Sequence, residues 1–409
     1  MYLKRFFHFI LLGNLFLLLS CSKNEGIKHQ TFEKADALIA KALDDSIFTG
    51  AVLLVGSTDS ILHEKAYGYA TLYDSAFSEI SVPDVMTTEH LFDLASLTKV
   101  LATTYGLMAL HSEGAYDIDD PVAQYIPEFK AEGKDQITIE HLLRHTSGLI
   151  PWHPSYYVAK SAQERLEWIS EYPLNSKPGE DRRYSDFGFM VLGDLVEVLS
   201  GKSLERYLED DVYRPLGLHS TLFNPDISRF PNVVSTSHGN PFEKKMVHDD
   251  DFGYTIDIDP DSWSGWRTYT LKGEVNDGNA WYTHGGVAGH AGLFSNTSEI
   301  YSLLQVLLNN GTYNGRQIMN PETIELFLTP DQNGQSLGWI TNNNWIHGKN
   351  LPENSFGHTG FTGTNLVVSP DTDRLYVLLT NRQHGGPGTD GSYPDLRPLR
   401  EKLTETLLH

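Results

Sequence analysis

The chain has 409 residues and a net charge of −22, with 53 Asp and Glu against 31 Lys and Arg. That length buries a large core, as one big domain or two intimate lobes, and 40% hydrophobic with 11% aromatic residues excludes disorder for the bulk of the chain. The acidic balance argues against a nucleic-acid partner, whose phosphates it would repel, and a single cysteine excludes an intrachain disulfide or a cysteine-based zinc site.

Residues 1–20 read as a signal peptide: Lys4 and Arg5 precede an apolar run from Phe6 to Leu19, interrupted by His8, Gly13 and Asn14. The run is short for a membrane span, which needs roughly 20 apolar residues. It ends in Leu18-Leu19-Ser20-Cys21, which resembles a bacterial lipobox, in which the cysteine is lipidated and becomes the new N-terminus. A plain secretory signal or an uncleaved anchor is the alternative. The resemblance implies a protein of the cell envelope, held by a lipid on the periplasmic or extracellular side of a membrane. Residues 21–30 are a polar tether.

Thr31 can cap a helix whose apolar positions are Phe32, Ala35, Leu38, Ile39, Ala42 and Leu43. Strand-like runs over Gly50–Gly56 and Ile61–Tyr69, joined by Ser57-Thr58-Asp59-Ser60, predict an antiparallel hairpin. Helical patterns follow from about Ser96 to Ser112, over Ile139–Arg144, over Phe187–Leu199 and over Leu204–Leu208. Residues Pro225 to Trp281 have little periodicity and read as loop. A further helix is expected near Thr297–Leu308. Strands are expected at Leu337–Thr341, Asn365–Ser369 and Leu375–Thr380, then a helix from about Leu396 to Leu408. The fold class is therefore α/β (α+β). One antiparallel sheet is built from both chain ends and flanked by helices: residues 31–95 and 293–409 form the sheet lobe, and 96–292 an inserted, mostly helical lobe with long loops.

Ser-X-X-Lys occurs at Ser20–Lys23, inside the expected cleavage site and a coincidence, and at Ser96-Leu97-Thr98-Lys99, where it opens a helix. Residues three apart share a helix face, so Lys99 is within reach of Ser96. The helix N-terminus offers free N–H groups and a positive dipole to a developing oxyanion. A neutral lysine there could take the hydroxyl proton. Alone, the motif also fits a capping serine beside a solvated lysine.

Two further segments follow in order: Tyr184-Ser185-Asp186 before a helix, and His358-Thr359-Gly360 before a strand. Together with Phe92-Asp93-Leu94-Ala95-Ser96-Leu97-Thr98-Lys99 they resemble the serine β-lactamase and penicillin-binding-protein superfamily, in its class C β-lactamase-related branch. His141-Leu142-Leu143-Arg144-His145-Thr146-Ser147-Gly148-Leu149 and Tyr213-Arg214-Pro215-Leu216-Gly217-Leu218 are similar to segments of that family. Gly285-Gly286-Val287-Ala288-Gly289-His290-Ala291-Gly292-Leu293-Phe294-Ser295 resembles the subset related to low-molecular-mass penicillin-binding proteins. The resemblance covers roughly Phe48 to His384. It implies Ser96 as acyl-accepting nucleophile and Lys99 and Tyr184 sharing base and acid work. It implies the N–H groups of Ser96 and Phe361 as oxyanion hole, with Asp186, His358, Thr359 and Gly360 lining the substrate. The implied reaction is acyl transfer to serine followed by hydrolysis, with no cofactor and no metal.

Two positions depart from the common pattern. Many family members carry Asn where Asp186 stands; an amide can donate to a substrate carbonyl and an ionised carboxylate cannot. A carboxylate near Lys99 also favours its charged form. The family commonly has Lys or His where His358 stands; histidine is largely neutral at pH 7 unless a neighbour raises its pKa and would bind a substrate carboxylate less reliably than lysine. Both departures disfavour β-lactams. They leave a peptidase on peptidoglycan-derived D-amino-acid peptides, of the D-alanyl-D-alanine carboxypeptidase kind, or an esterase, and the envelope signal tilts the reading towards the cell wall. A protein that keeps the fold as a binding scaffold without turnover is the alternative of another class.

Other features are discounted. Gly334-Gln335-Ser336-Leu337-Gly338 matches a nucleophile elbow but lacks the strand before and helix after. His284 and His290 sit among glycines without metal-ligand spacing. Asp249-Asp250-Asp251 lacks the calcium-loop pattern. Trp263, Trp266 and Tyr269 read as packing under a loop. His141 and His145, at i and i+4, read as structural.

Overall fold

The Gly50–Gly56 strand, Gly-Ala-Val-Leu-Leu-Val-Gly, is buried along its whole length, because it lies inside a sheet covered on both faces. Val52 and Leu54 point into the large core on one side, while Ala51, Leu53 and Val55 point to a second cluster with Ala35, Ile39, Leu403 and Leu407 on the other. The structure, a computed structural model, describes residues 30–131, 133–341 and 351–409. The expected signal peptide, Cys21 and all of the expected tether but its last residue lie outside them.

The sheet has seven antiparallel strands in the order Ile340–Thr341, Phe356–Thr359, Asn365–Ser369, Arg374–Thr380, Gly50–Gly56, Ile61–Tyr73 and Glu79–Val85. The first hairpin places Val52 opposite Ala66, and on its other side Val52 faces Leu379 from the end of the chain. One helix over 30–44 and the C-terminal helix Arg397–Leu407 cover one face. The other face packs on the core that also holds Tyr105 and Leu107 from Tyr105–Ser112, Phe187 and Leu192 from Asp186–Ser200, and Ile300 and Leu304 from Thr297–Leu308. The protein is thus an α/β fold with an antiparallel sheet from both chain ends between layers of helix.

Several expectations need correction. Thr31 lies inside the 30–44 helix rather than at its cap. The strand expected over Leu337–Thr341 is reduced to Ile340–Thr341, since Gly338 turns the backbone through φ +78°. The Pro225–Trp281 stretch is not simply loop. It holds a ribbon of Ser235–His238 and Thr270–Lys272 and the helices Pro241–His248 and Gly278–His284. In Pro241–His248, Val247 alone is buried, so the apolar periodicity that marks a helix is absent.

Candidate active site

The Ser96 turn is set by its backbone. Phe92–Asp93 pairs with Leu293–Ser295, and the chain then bends through Ala95, whose φ of +47° is unfavourable for a residue with a Cβ. Asp93 holds that bend: its carboxylate accepts Ala95 N–H at 2.9 Å and Asn276 N–H at 2.6 Å. Burial pushes the Asp93 carboxyl up to about 6, against those two backbone donors. From Lys99 to Thr104 the helix is wound as a wide π turn, buried throughout, before it tightens into Tyr105–Ser112. Single π turns recur at functional sites.

Three acceptors surround the fully buried Lys99 ammonium. They are Ser96 Oγ at 3.0 Å, an Asp186 carboxylate oxygen at 2.7 Å and the His290 carbonyl at 3.1 Å. An ammonium has three donors. The Asp186 contact is an ion pair by distance and is not aligned as a hydrogen bond. Burial alone would lower the Lys99 pKa, but Asp186 and then Tyr184 raise it, to about 12. Beside this carboxylate the charged form of Lys99 is favoured over the neutral lysine considered from sequence.

Tyr184 sits in an extended segment with its ring 5.0 Å from Lys99 Nζ, and its hydroxyl interacts with both Ser96 and Lys99. Burial raises the Tyr184 pKa while Lys99 opposes the rise. Under the tyrosine ring lies His145, buried, in left-handed backbone (φ +58°), with ring centroids 4.4 Å apart. His145 Nδ1 accepts Ser185 N–H at 3.1 Å. Ser185 caps the next helix by accepting Gly188 N–H, which puts Asp186 in its first turn, where a negative charge is favoured. His141 has a different structural task, in a capping box with Thr138.

His358 is buried 6.0 Å from the Tyr184 ring. Its Nδ1 lies 2.8 Å from the Thr359 carbonyl, and its Nε2 has no hydrogen-bond partner among the described residues. Burial, then Lys99, pushes its pKa down to about 3, so it carries no charge at neutral pH. The chain after Thr359 is stapled to the Ser96 turn: Thr362 Oγ1 donates to Asp93 O at 2.8 Å and Thr364 Oγ1 to Leu94 O at 2.9 Å. Gly360 lies against Leu94 O and Thr364 Oγ1, with no room for a Cβ. The staple brings Phe361 to the cavity beside Ser96. Among the described residues no acceptor is found for the N–H of Ser96 or of Phe361.

The cavity holds about 270 Å³ and is lined by Ser96, Tyr184, Asp186 and Phe361 together with Glu243 and Asp277. Its walls are aromatic: Trp152, Phe242, Tyr254 and Tyr393. The sequence pattern of the family described as Beta-lactamase matches residues 35–396. The chain belongs to the beta-lactamase family. A relative in Bacillus subtilis (strain 168), named N-acetylmuramyl-L-alanine amidase, is 36% identical over 370 residues, covering 86% of this chain and 81% of its own. A protein of Escherichia coli (strain K12), provisionally named a D-alanyl-D-alanine carboxypeptidase, is 35% identical over 386 residues, covering 89% of this chain and 85% of its own. The fold is shared with a penicillin-binding protein homologue from Caulobacter crescentus, with a TM-score of 0.66 at 18% identity over 92% of this chain and 98% of that one. The protein is a serine hydrolase of the beta-lactamase family.

Of the other sequence features, His290 reaches Lys99 through its carbonyl, while Ser336 and Trp263 have other partners. Ser336 is fully buried and donates its hydroxyl to Leu328 O. Trp263 packs on Tyr156, Trp266 and Tyr282. Sequence reasoning missed Asp93, Glu243, Asn276, Asp277 and the part played by the His290 carbonyl. Glu243 accepts from Tyr156 OH and Gly278 N–H; burial and then the Asp277 carboxylate push its pKa up. Cys21 lies outside the described residues.

Proposed function

We propose that the protein is an envelope hydrolase that cuts cell-wall peptides ending in D-amino acids through an acyl-enzyme on Ser96. The observation that carries this reading is the Ser96–Lys99–Asp186 cluster, with Ser96 Oγ 3.0 Å from the ammonium and Tyr184 closing over both. Lys99, held charged, orients Ser96 Oγ and stabilises negative charge rather than acting as base. Tyr184 takes the Ser96 proton as Oγ attacks the carbonyl, and passes its own proton to the leaving nitrogen, so the phenol is neutral before and after the step. The N–H groups of Ser96 and Phe361 receive the oxyanion. In the second half a water returns along the same path. Substrate lies along His358, Thr359 and Gly360, where the chain runs on beyond the pairing of Phe356 and Gly357 with Ile340–Thr341, with Asp186 and His358 at the reacting end. The relatives named for D-alanyl-D-alanine and N-acetylmuramyl-L-alanine bonds support a peptidoglycan substrate. The aromatic cavity walls favour a second reading, cleavage at the sugar-proximal end of the same peptide, since flat aromatic faces suit a sugar ring.

A fluorescent acylating probe with mass spectrometry tests the nucleophile. Wild type is expected to carry the adduct on Ser96, Ser96→Ala none, and Lys99→Ala and Tyr184→Phe at rates lower by about 10²–10⁴. An adduct elsewhere, or unchanged labelling of Ser96→Ala, refutes the assignment. A panel of D-Ala-D-Ala peptides, N-acetylmuramyl-L-alanine, short esters and penicillins then separates the two bonds. Release of free D-alanine supports the first reading and release of N-acetylmuramic acid with L-alanine the second. The lipobox-like Leu18–Cys21 supports a lipid anchor at Cys21. Cys21→Ala is expected to release the protein from membranes, and a wild type recovered wholly soluble with an unmodified N-terminus would exclude it.

A further inference from the structure

The Gly-rich segment from Gly285 to Gly292 threads between the Ser96 helix and Asp186–Ser200. Gly289 touches Gly193 backbone to backbone, and a Cβ on either would collide. Two successive carbonyls of this segment meet the first turns of the Ser96 helix. Gly289 O accepts Thr103 Oγ1 at 2.6 Å, and His290 O accepts Lys99 Nζ at 3.1 Å. Lys99 and Thr103, four apart, share the helix face that reaches the segment.

The His290 side chain has a partner of its own. It is buried, and its Nε2 lies 2.9 Å from Asp277 Oδ1. Asp277 is fixed in turn, since it caps Gly278–His284 by accepting Ala280 N–H at 2.8 Å. The His290 Nδ1 has no partner, so the Asp277 contact is the tether of this side chain among the described residues. One residue thus presents its carbonyl to Lys99 and its ring to a fixed carboxylate.

We infer that the His290–Asp277 pair is a positioning device for Lys99: it holds the His290 carbonyl where it serves as the backbone acceptor of the ammonium. Without it the carbonyl loses its brace, Lys99 is left with Ser96, Tyr184 and Asp186, and the ammonium is drawn to the carboxylate and away from Ser96 Oγ. The effect falls on the acylation step and not on substrate capture. This inference rests on the reading of Ser96 and Lys99 given above.

The geometry of the imidazole supplies the test. Gln places an amide nitrogen close to the Nε2 position, whereas Asn reaches only the Nδ1 position. His290→Ala and His290→Asn are expected to lower kcat for ester hydrolysis about tenfold to a hundredfold with KM within about threefold, corresponding to roughly 1.4–2.7 kcal/mol. His290→Gln is expected to recover most of that loss. Thermal melts of all three, with Ser96→Ala and Lys99→Ala beside them, separate the outcomes. Wild-type kcat in His290→Ala, a loss expressed in KM, or His290→Gln no better than His290→Asn overturns the inference. If either of the first two variants fails to fold, the contrast between Gln and wild type decides it: a folded Gln variant with kcat about tenfold or more below wild type also overturns it. Should Lys99→Ala acylate at the wild-type rate, the reading of the site itself fails. Should Lys99→Ala be inactive while the His290 variants behave as wild type, the brace alone fails.

Discussion

Asp186 is the residue at which this site departs most in physical terms. Its carboxylate, 2.7 Å from Lys99, is the largest of the influences that raise that lysine's pKa to about 12, while His358 across the Tyr184 ring is neutral. In the proposed reading, a substrate acylamino carbonyl would meet acceptors where it wants a donor, and a substrate carboxylate would meet no fixed charge at His358. Leaving such a group unpaired costs about 1–3 kcal/mol, or about tenfold to a hundredfold in rate. Asp186→Asn is expected to lower the Lys99 pKa and move the pH optimum for acylation downward. Asp186→Asn with His358→Lys is expected to raise acylation by penicillin relative to an ester by about that factor. Stopped-flow acylation of both substrates checks it; an unchanged ratio would remove these two positions as the source of preference.

At the scale of elements, the site is an agreement between three backbones: the turn before Lys99, the stretch after Thr359, and the Gly-rich segment. Gly360 is where two of them meet, against Leu94 O and Thr364 Oγ1. Gly360→Ala must push the strand end off the turn, at a cost of about 1–3 kcal/mol. It should disturb Phe361 N–H relative to Ser96 N–H, so kcat is expected to fall together with the melting temperature; a variant with wild-type values of both would show that the approach is slack. The contacts that chemistry makes locally are legible in the amino-acid sequence. Ser96 and Lys99 are three apart, Tyr184 and Asp186 two apart, and the strands around Gly50–Gly56 and Asn365–Ser369 declare themselves by apolar runs. Asp93 and Asn276, 183 residues apart, and Lys99 and His290, 191 apart, are not legible there, because only the topology makes them neighbours. Glu243 is hidden for another reason. Its helix buries so little apolar surface that its composition reads as loop, and its carboxyl faces the cavity because Tyr156 and Gly278 hold it there.

Over the whole molecule, stability is set by opposed buried groups. Burial pushes His153, His358 and His384 down to about 4, 3 and 4, and His145 and His284 well below their ordinary value. These rings stay neutral in the fold while the unfolded chain protonates near pH 6.5. The stability they contribute above that pH is lost as the pH falls towards about 4. Burial also pushes Asp93 and Asp194 up to about 6, and Glu243 further. Their contribution has the reverse sign: present below about pH 4, lost as the pH rises through 6 and beyond. Among the described residues nine histidines are lowered and four carboxyls, Glu205 included, are raised, so thermal stability is expected to peak near pH 6.5 and to fall more steeply on the acid side. Melting curves from pH 4 to 9 check this, and a midpoint that rises steadily from pH 6.5 to 4.5 would show the carboxyls to dominate. The strand Gly50–Gly56 at the heart of the sheet has a consequence in time as well. Its first N–H bonds Asn381, 331 residues later in the chain, so the sheet cannot close until nearly all of the polypeptide has been synthesised. Closing a loop of that length is slow and entropically costly. Throughout that interval Ala51 to Val55 present a bare apolar edge to any other unfinished chain. The birth of this enzyme is therefore its most aggregation-prone moment, and a holdase that shields the N-terminal hairpin until the last strand arrives would raise its yield without touching the finished fold.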